Sequence, residues 1–427
     1  MIQKIIHTLG SRVITMMLNL VMLFITTRLM GAEIKGEIGL LVLNLSVAAI
    51  FSGMFGGPAL VYLAPRFKQS ALILINYSWS IFISVAITLV FFFSELPLSV
   101  KPELFALMAI LECLTAANLM LLLGKEHIKQ HNWAQIVKVL STVLVLIYLN
   151  TKGQLSFESF VLAYTISLVL SFLLTAILLL SKNKNNIPES SLSQIISAAF
   201  KNGALIQVGS IAQLFNYRIS YYFLELLISP LSVALIRIGI FHTAIQIAEA
   251  LWQFARSIST VQYATVSNLN NRKEGLWLSL KLAKLNYVVT AIGIAVLWLL
   301  PSGFYSWLFG NEFYEVKRHI IWLSPGIFML AISNAYSHFF AGVGDNKYNT
   351  YSSVFGLALT LCIAYPSIRY FGTIGAAFSA SITYSAQTIY QYWFLRKSDN
   401  IGVRQMIANR EDFNQLSAIG KKLIGLK

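Results

Sequence analysis

Twelve stretches of this chain are each apolar for long enough to cross a lipid bilayer, and that feature restricts the fold more than any motif. Hydrocarbon offers no water to a backbone N–H or C=O, so a segment crossing it must satisfy those groups itself, as a helix, or within a closed barrel. Continuous runs of roughly 20 apolar residues select the helix. Six runs lie at about 11–30, 38–63, 70–94, 102–123, 132–149 and 157–181. Six more follow at about 198–226, 231–256, 280–300, 319–341, 348–370 and 373–395. Charged residues make up only 11% of the chain, against about a quarter in soluble proteins. The expected fold is all-α, a polytopic membrane protein with about twelve transmembrane helices. Its expected parts are an N-terminal six-helix lobe (1–181), a cytoplasmic linker (182–197, opening on SKNKNNIPESS), a C-terminal six-helix lobe (198–395) and a basic cytoplasmic tail (396–427). The connections are short, which excludes a built-in ATPase, a soluble catalytic domain or a globular receptor head. In the tail, Val403, Met406 and Ile407 form a short interfacial helix or a loose segment.

Lys4 and Arg12 precede the first run, which continues to about Gly31 without an A-x-A cleavage pattern, so it reads as a retained span. Cys113 and Cys362 lie in apolar runs, and neither a structural disulfide nor a Cys-based metal site is expected.

Lys and Arg outnumber Asp and Glu by 32 to 17. An even number of spans puts both ends on one side. With that side cytoplasmic, twenty basic residues fall in cytoplasmic segments, among them Lys4, Arg66, Lys125, Lys182, Arg272, Lys347 and Arg396. The opposite side receives six: Lys35, Lys101, Lys152, Lys317, Arg318 and Arg369. The excess is therefore an orientation signal that places both termini in the cytoplasm, and a nucleic-acid partner is not needed to explain it.

Six basic residues remain inside the runs: Arg28, Lys138, Lys201, Arg218, Arg237 and Arg256. A charge near mid-bilayer costs at least about 2.5–3.5 kcal/mol on insertion scales, so it normally faces a polar cavity or a partner. Lys201 reads as a snorkelling residue near the start of its span, and Arg28 as an interfacial anchor. Arg218 and Arg237 lie deeper. In the eighth run His242, Gln246, Glu249, Gln253 and Arg256 are spaced 4, 3, 4 and 3 along one helical face. That stripe lines a water-filled path or pairs along a helix seam, with Glu249 bonded to Arg256 in the second case. Arg218 and Glu225 share a face of the seventh run, with Gln207 close to it, and Arg12, Thr15, Asn19 and Thr26 share one in the first. Glu112 and Lys138 either form an ion pair or reach the same cavity. Gly53, Gly56, Gly57 and Pro58 interrupt the second run, and Ser324, Pro325 and Gly326 the tenth, as hinges or static kinks. There is no Walker A sequence, no H-E-x-x-H and no zinc-spaced Cys/His cluster. Transport would then draw on an ion gradient, the membrane potential or the cargo's own gradient.

Several segments resemble a known family. TTRLMGAEIKGEIGLL (26–41) is similar to the motif that ends the first helix of the polysaccharide exporters in the multidrug/oligosaccharidyl-lipid/polysaccharide (MOP) superfamily. FNYRISYYFLELLISPLSVALIRIGI resembles their "N-x-R-x-D … G-x-Y" region, and LFGNEFYEV, FAGVGDNKYNTY and FGTIGAAFSASITY resemble later segments in the same order. Two departures stand out. Ser220 occupies the place of the motif's Asp, and Ala234 to Arg237 replace "G-x-Y". The span count resembles O-antigen and capsule repeat-unit flippases of the Wzx type more than fourteen-span lipid II flippases.

The resemblance implies the fold of the multidrug and toxic compound extrusion (MATE) transporters and MOP flippases. It implies a flippase carrying undecaprenyl-diphosphate-linked oligosaccharide across a bacterial inner membrane, from the cytoplasmic to the periplasmic leaflet, by alternating access. The substrate-binding residues would be Arg218, Arg237, Arg256, His242, Gln246, Glu249, Gln253, Asn19, Arg28, Glu225 and Tyr221. Guanidinium forks suit phosphate oxygens, while the Gln, Asn and Tyr side chains suit sugar hydroxyls. No cofactor is implied, only coupling to a proton or sodium gradient. Partners would be the lipid-linked oligosaccharide, membrane lipids, a polysaccharide polymerase and a chain-length regulator. A drug or small-cation exporter would need an acidic cavity. A membrane polymerase or glycosyltransferase would need a sizeable periplasmic loop.

Overall fold

A computed structural model describes residues 2–94, 99–180, 191–266, 269 and 271–407, without side-chain detail for 2–9, 252–261 and 263–265. Most of the linker expected at 182–197, and the tail beyond residue 407, lie outside the described residues. Among the described residues every regular element is helical: α1 (Ile2–Phe24), α2 (Gly31–Gly56), α3 (Pro58–Leu63), α4 (Gln69–Phe93), α5 (Pro102–Gly124), α6 (Ile128–Thr151), α7 (Phe157–Leu180), α8 (Leu192–Leu227), α9 (Leu231–Val266), α10 (Arg272–Leu299), α11 (Ser302–Phe309), α12 (Val316–Gly342) and α13 (Lys347–Asp399). Eleven helical segments are long and apolar enough to span a membrane. The last, α13, runs for 53 residues but breaks at Gly372, where φ is +56°.

That break is a hairpin. Gly375 packs on the Ser367 carbonyl, Gln387 bonds the Ser352 carbonyl at 3.3 Å, and Tyr348 and Phe394 lie 4.4 Å apart between ring centroids. The paired numbers rise on one arm as they fall on the other, so the arms are antiparallel. They recover the eleventh and twelfth runs of the sequence at their expected positions, and the chain is a polytopic membrane protein with about twelve helical runs of membrane-spanning length among its described residues.

By contacts the chain groups into two compact units, one of 1–243 with 305–314, the other of 244–304 with 315–427. These bounds differ from the lobes expected at 1–181 and 198–395. In the first unit α8 packs along α2: Gln207 Nε2 donates to the Ile50 carbonyl, and Tyr222 Oη donates to Asn44 Oδ1 at 2.7 Å. α4 and α5 run antiparallel, fixed by Tyr77–Asn118 at 2.8 Å and the Phe91–Phe105 ring contact. α5 runs parallel to α7 through Asn118–Thr175 at 3.2 Å. In the second unit α12 runs alongside the last arm of α13, where Ser333 Oγ donates to Gln391 Oε1 at 2.7 Å and Thr388 Oγ1 to the Met329 carbonyl at 3.0 Å. Arg272 at the start of α10 holds Asp399 with two bonds, 2.8 and 3.1 Å, and Asp345 with one of 2.8 Å. The expected short tail helix is a 3-10 turn, Val403–Met406, and the Met406 carbonyl accepts from Tyr287 Oη at 3.2 Å.

The second span begins at Gly31 rather than near residue 38, after a π-helical turn at Ile25–Leu29 and a left-handed Gly31 with φ of +83°. Lys35, expected in a connection, is consequently one turn inside α2 and buried.

A Cβ on Gly375 would meet the Ser367 carbonyl oxygen at 1.9 Å, so Gly375→Ala should lower the thermal unfolding temperature of the purified protein in detergent, by the roughly 1–3 kcal/mol of an overpacked contact. Gly303→Ala, where nothing lies within 4 Å, should stay within about 0.5 kcal/mol of wild type.

Candidate functional site

In the first unit, α2 and α9 meet backbone to backbone. A Cβ on Gly36 would lie 2.0 Å from the Leu235 carbonyl oxygen, and one on Gly239 would lie 2.0 Å from that of Ala32. Small residues allow such close helix approach in membranes, where packing has to supply the association that hydrophobic exclusion supplies in water. The close contact brings polar groups of α2, α8 and α9 together. The His242 ring rests against Gly39, and His242 Nδ1 and Tyr221 Oη are hydrogen-bonded at 2.8 Å. The Arg218 guanidinium lies 5.9 Å from the Tyr221 ring centroid, within cation–π range. Arg218 and Lys35 are both close enough for their charges to act on His242.

Lys35 has the most restrictive surroundings in this group. It is 2% exposed, and its Nζ donates to Thr26 Oγ1 at 2.9 Å, whose own hydroxyl donates to the Met22 carbonyl at 2.8 Å. Among the described residues no carboxylate lies within ion-pair distance of Lys35. An ammonium held out of water without a counter-ion is costly, and the Arg218 guanidinium lies in the same part of the unit, beside Tyr221. Hydropathy alone begins this span near residue 38, seven residues after α2 starts, and so leaves Lys35 in a connection. The signal was there in Ala32, Gly36 and Gly39, whose spacing of four and three is that of one helix face in close contact.

The other expected residues are distributed as follows. Glu225 is half-buried on α8 and acts electrostatically on Tyr222. Arg237 is half-buried on α9. Arg28 reaches the Ser306 carbonyl at 3.5 Å at an exposed position. Asn19 is exposed on α1 and has no hydrogen bond to the Lys35 group. Gln246 and Glu249 are half-buried and belong to the second unit. The Gln253 and Arg256 side chains lie outside the described residues. The Glu112–Lys138 alternative resolves as an ion pair of 2.5 Å, with Lys138 Nζ 5.4 Å from the Tyr164 ring centroid. Among the described residues no group of three His, Cys, Asp or Glu side chains is placed to hold a metal ion.

No protein-family model matches the sequence. No curated protein matches it either. Solved structures do. A multidrug resistance MATE family transporter of the MOP superfamily, in an inward-facing conformation, superposes with a TM-score of 0.68 at 14% identity, over 92% of this chain and 97% of its own. The lipid II flippase MurJ, in an inward closed conformation, gives 0.69 at 15% identity over 95% and 89%. The chain has the MOP-superfamily transporter fold. A MOP superfamily transporter from Pyrococcus furiosus, described as having a binding pocket of reverse polarity that suggests a different function, gives 0.64 at 15% identity over 92% and 95%.

On this MOP fold two of the motif-like segments meet. Glu312, in LFGNEFYEV, accepts from the Ala32 backbone N–H at 2.7 Å and so closes the N-terminus of α2. A carboxylate there satisfies an orphan donor and complements the helix dipole. The same carboxylate is 3.3 Å from where a Gly31 Cβ would stand. The glycines and acid of the two segments therefore hold the turn from which Lys35 is presented.

Removing one partner of a buried ion pair leaves a bare charge, typically worth about 3–5 kcal/mol. Lys138→Met should therefore destabilise the purified protein by about 3 kcal/mol, the low end because the pair is partly accessible. Adding Glu112→Leu should recover most of that loss, as read by thermal unfolding in detergent.

Proposed function

We propose that this chain is a flippase for an undecaprenyl-diphosphate-linked oligosaccharide, an O-antigen or capsule repeat unit. It moves its cargo from the cytoplasmic to the periplasmic leaflet of a bacterial inner membrane by alternating access, with both termini in the cytoplasm. The observation that carries the reading is the buried Lys35 ammonium, without a described carboxylate partner and close to His242 and Arg218. A small-cation or cationic-drug exporter requires the opposite polarity. A diphosphate headgroup supplies the missing negative charge, and charge-assisted bonds from Lys and Arg to phosphate oxygens are roughly twice as strong as neutral ones. Tyr221 and Asn19 are polar groups suited to sugar hydroxyls, and Arg237 is a further guanidinium ligand for phosphate.

The fold supports the class of the proposal, since MurJ, similar to this chain over 95% of its length, is a lipid II flippase. The cargo assignment rests on this chain's own charges. Energy would come from a proton or sodium gradient, and a polysaccharide polymerase and chain-length regulator would take the product.

In a deletion strain, complete lipid-linked repeat units should accumulate on the cytoplasmic leaflet. Lys35→Met and Arg218→Ala proteins should insert at wild-type levels and yet reduce surface glycan at least tenfold, by analogy with the loss of one charged ligand. Normal export by both variants would remove the anion-binding assignment. Single units reaching the outer face unpolymerised would identify a polymerase instead.

A further inference from the structure

The Ser-Pro-Gly interruption of the tenth run allows a hinge or a static kink by sequence, and the bonds around it separate the two. Pro325 lies inside α12. It has no N–H, so the helical rung from residue 325 back to the Ile321 carbonyl does not form. The next rung runs from the Gly326 N–H to the Trp322 carbonyl. Both of its ends are bonded by one side chain of another helix: Ser381 Oγ, on the last arm of α13, accepts from the Gly326 N–H at 3.1 Å and donates to the Trp322 carbonyl. A side chain that enters the ladder of a helix is a known cause of bending, and in a membrane a hydroxyl can satisfy backbone groups that water does not reach. Gly326 permits the approach. A Cβ there would lie 2.6 Å from Ser381 Cα, so glycine at this position lets the short serine side chain reach the ladder.

The two halves of α12 are held by different stretches of that arm. Before the interruption, His319 Nε2 and Thr373 Oγ1 are hydrogen-bonded at 2.8 Å, and the Trp322 and Phe378 rings meet edge to face at 5.7 Å. After it, Thr388 Oγ1 donates to the Met329 carbonyl and Ser333 Oγ to Gln391 Oε1. Ser381 lies between these two sets, beside the missing rung. The first set begins one residue after Gly372, where α13 breaks. The chain enters α12 from residues 305–314, which group with the first unit, while α12 groups with the second. The N-terminal half of α12 is therefore part of a covalent link between the units.

A second bonding pattern with the same number of bonds is available. Other hydroxyls on this arm donate to their own preceding turn, Ser379 to the Ala376 carbonyl at 3.0 Å and Thr383 to the Ser379 carbonyl at 2.8 Å. Thr388 reaches both kinds of acceptor at once, the Tyr384 carbonyl of its own helix at 2.9 Å and the Met329 carbonyl of α12 at 3.0 Å. If Ser381 turned its hydroxyl to the Ala377 carbonyl in the same way, the Gly326 N–H would pair with the Trp322 carbonyl directly. Each pattern makes two hydrogen bonds, so the exchange leaves no buried group unpaired. Opening an ordinary rung in hydrocarbon would leave two.

We propose that Ser381 is the positioning residue of a two-state hinge in α12. Its hydroxyl bridges the Trp322–Gly326 rung in one state and releases it in the other, where the helix is straighter, and the N-terminal half of α12 thereby turns against the C-terminal half during transport. The inference rests on the transporter fold and not on the cargo reading, and its test uses no cargo.

The test is the distance between spin labels at Arg318→Cys and Ile389→Cys in the full-length protein in detergent, with Cys113→Ala and Cys362→Ala. Both labelled positions are exposed; one lies before the hinge, the other on the stretch of arm that holds the second half of α12. Wild type should give two distances. Ser381→Ala removes the bridge and should change the ratio of the two populations about fivefold or more, the effect of one net hydrogen bond. Pro325→Ala restores the 321–325 rung by another route and should shift the ratio in the same direction. The unfolding temperature of Ser381→Ala should stay near wild type, because the closed ladder pairs the groups that the hydroxyl had bonded. The proposal is overturned if either folded variant keeps the wild-type distribution, which marks a static kink, or if the two shift it in opposite directions. If Ser381→Ala fails to fold, the Pro325→Ala distribution decides alone.

Discussion

Everything in this protein follows from the inability of hydrocarbon to bond a backbone amide. That constraint makes each crossing a helix and sends the side chains in a direction opposite to that of a soluble protein. On α4, Phe82 and Phe93 are 61% and 77% exposed while Ser80 and Ser84 are fully buried. With apolar surface offered to lipid, helix association depends on close contact and on polar bonds. Both are visible where α2 meets α9 through Gly36 and Gly239, and where Gln391 joins Ser333 and Ser337.

The same constraint explains why so few residues carry the functional argument. Charges inside the first unit are either paired, as with Glu112 and Lys138, or held by a neutral hydroxyl, as with Lys35 on Thr26. Breaks in helices have a parallel economy. Gly31 and its π-helical turn present Lys35, and Glu312 closes the helix that follows. Where α2 ends, Gly56 packs against the Asn76 amide oxygen. At both of these breaks a polar group of the protein stands beside the backbone.

Much of the fold was legible from residue order. The apolar runs located the crossings, and the two arms of α13 fall where the last two runs were drawn. The start of α2 is hidden from hydropathy because Glu33, Lys35 and Glu37 look like a loop, although the helix continues through them with Lys35 buried and Ala32, Gly36 and Gly39 in contact with α9. The grouping of Lys35 with His242 could not be read, since the two lie on helices whose crossing is set by glycine contacts between distant parts of the chain. The stripe on α9 was legible as a periodicity, but a periodicity does not say which unit each residue joins: His242 belongs to one, Gln246 and Glu249 to the other.

The sequence by itself determined that the chain enters a bilayer as about twelve helices, because the length and apolarity of each run are local properties. It also holds an uneven sorting of Lys and Arg between alternate connections. Only the tertiary structure decided which polar groups meet. Tyr222 and Asn44 are ordinary polar residues in apolar runs until α8 packs along α2 and bonds them, and Lys35 is a loop lysine until α2 carries it inside. Such pairings depend on crossings and registers between segments far apart in the chain, which no local pattern encodes.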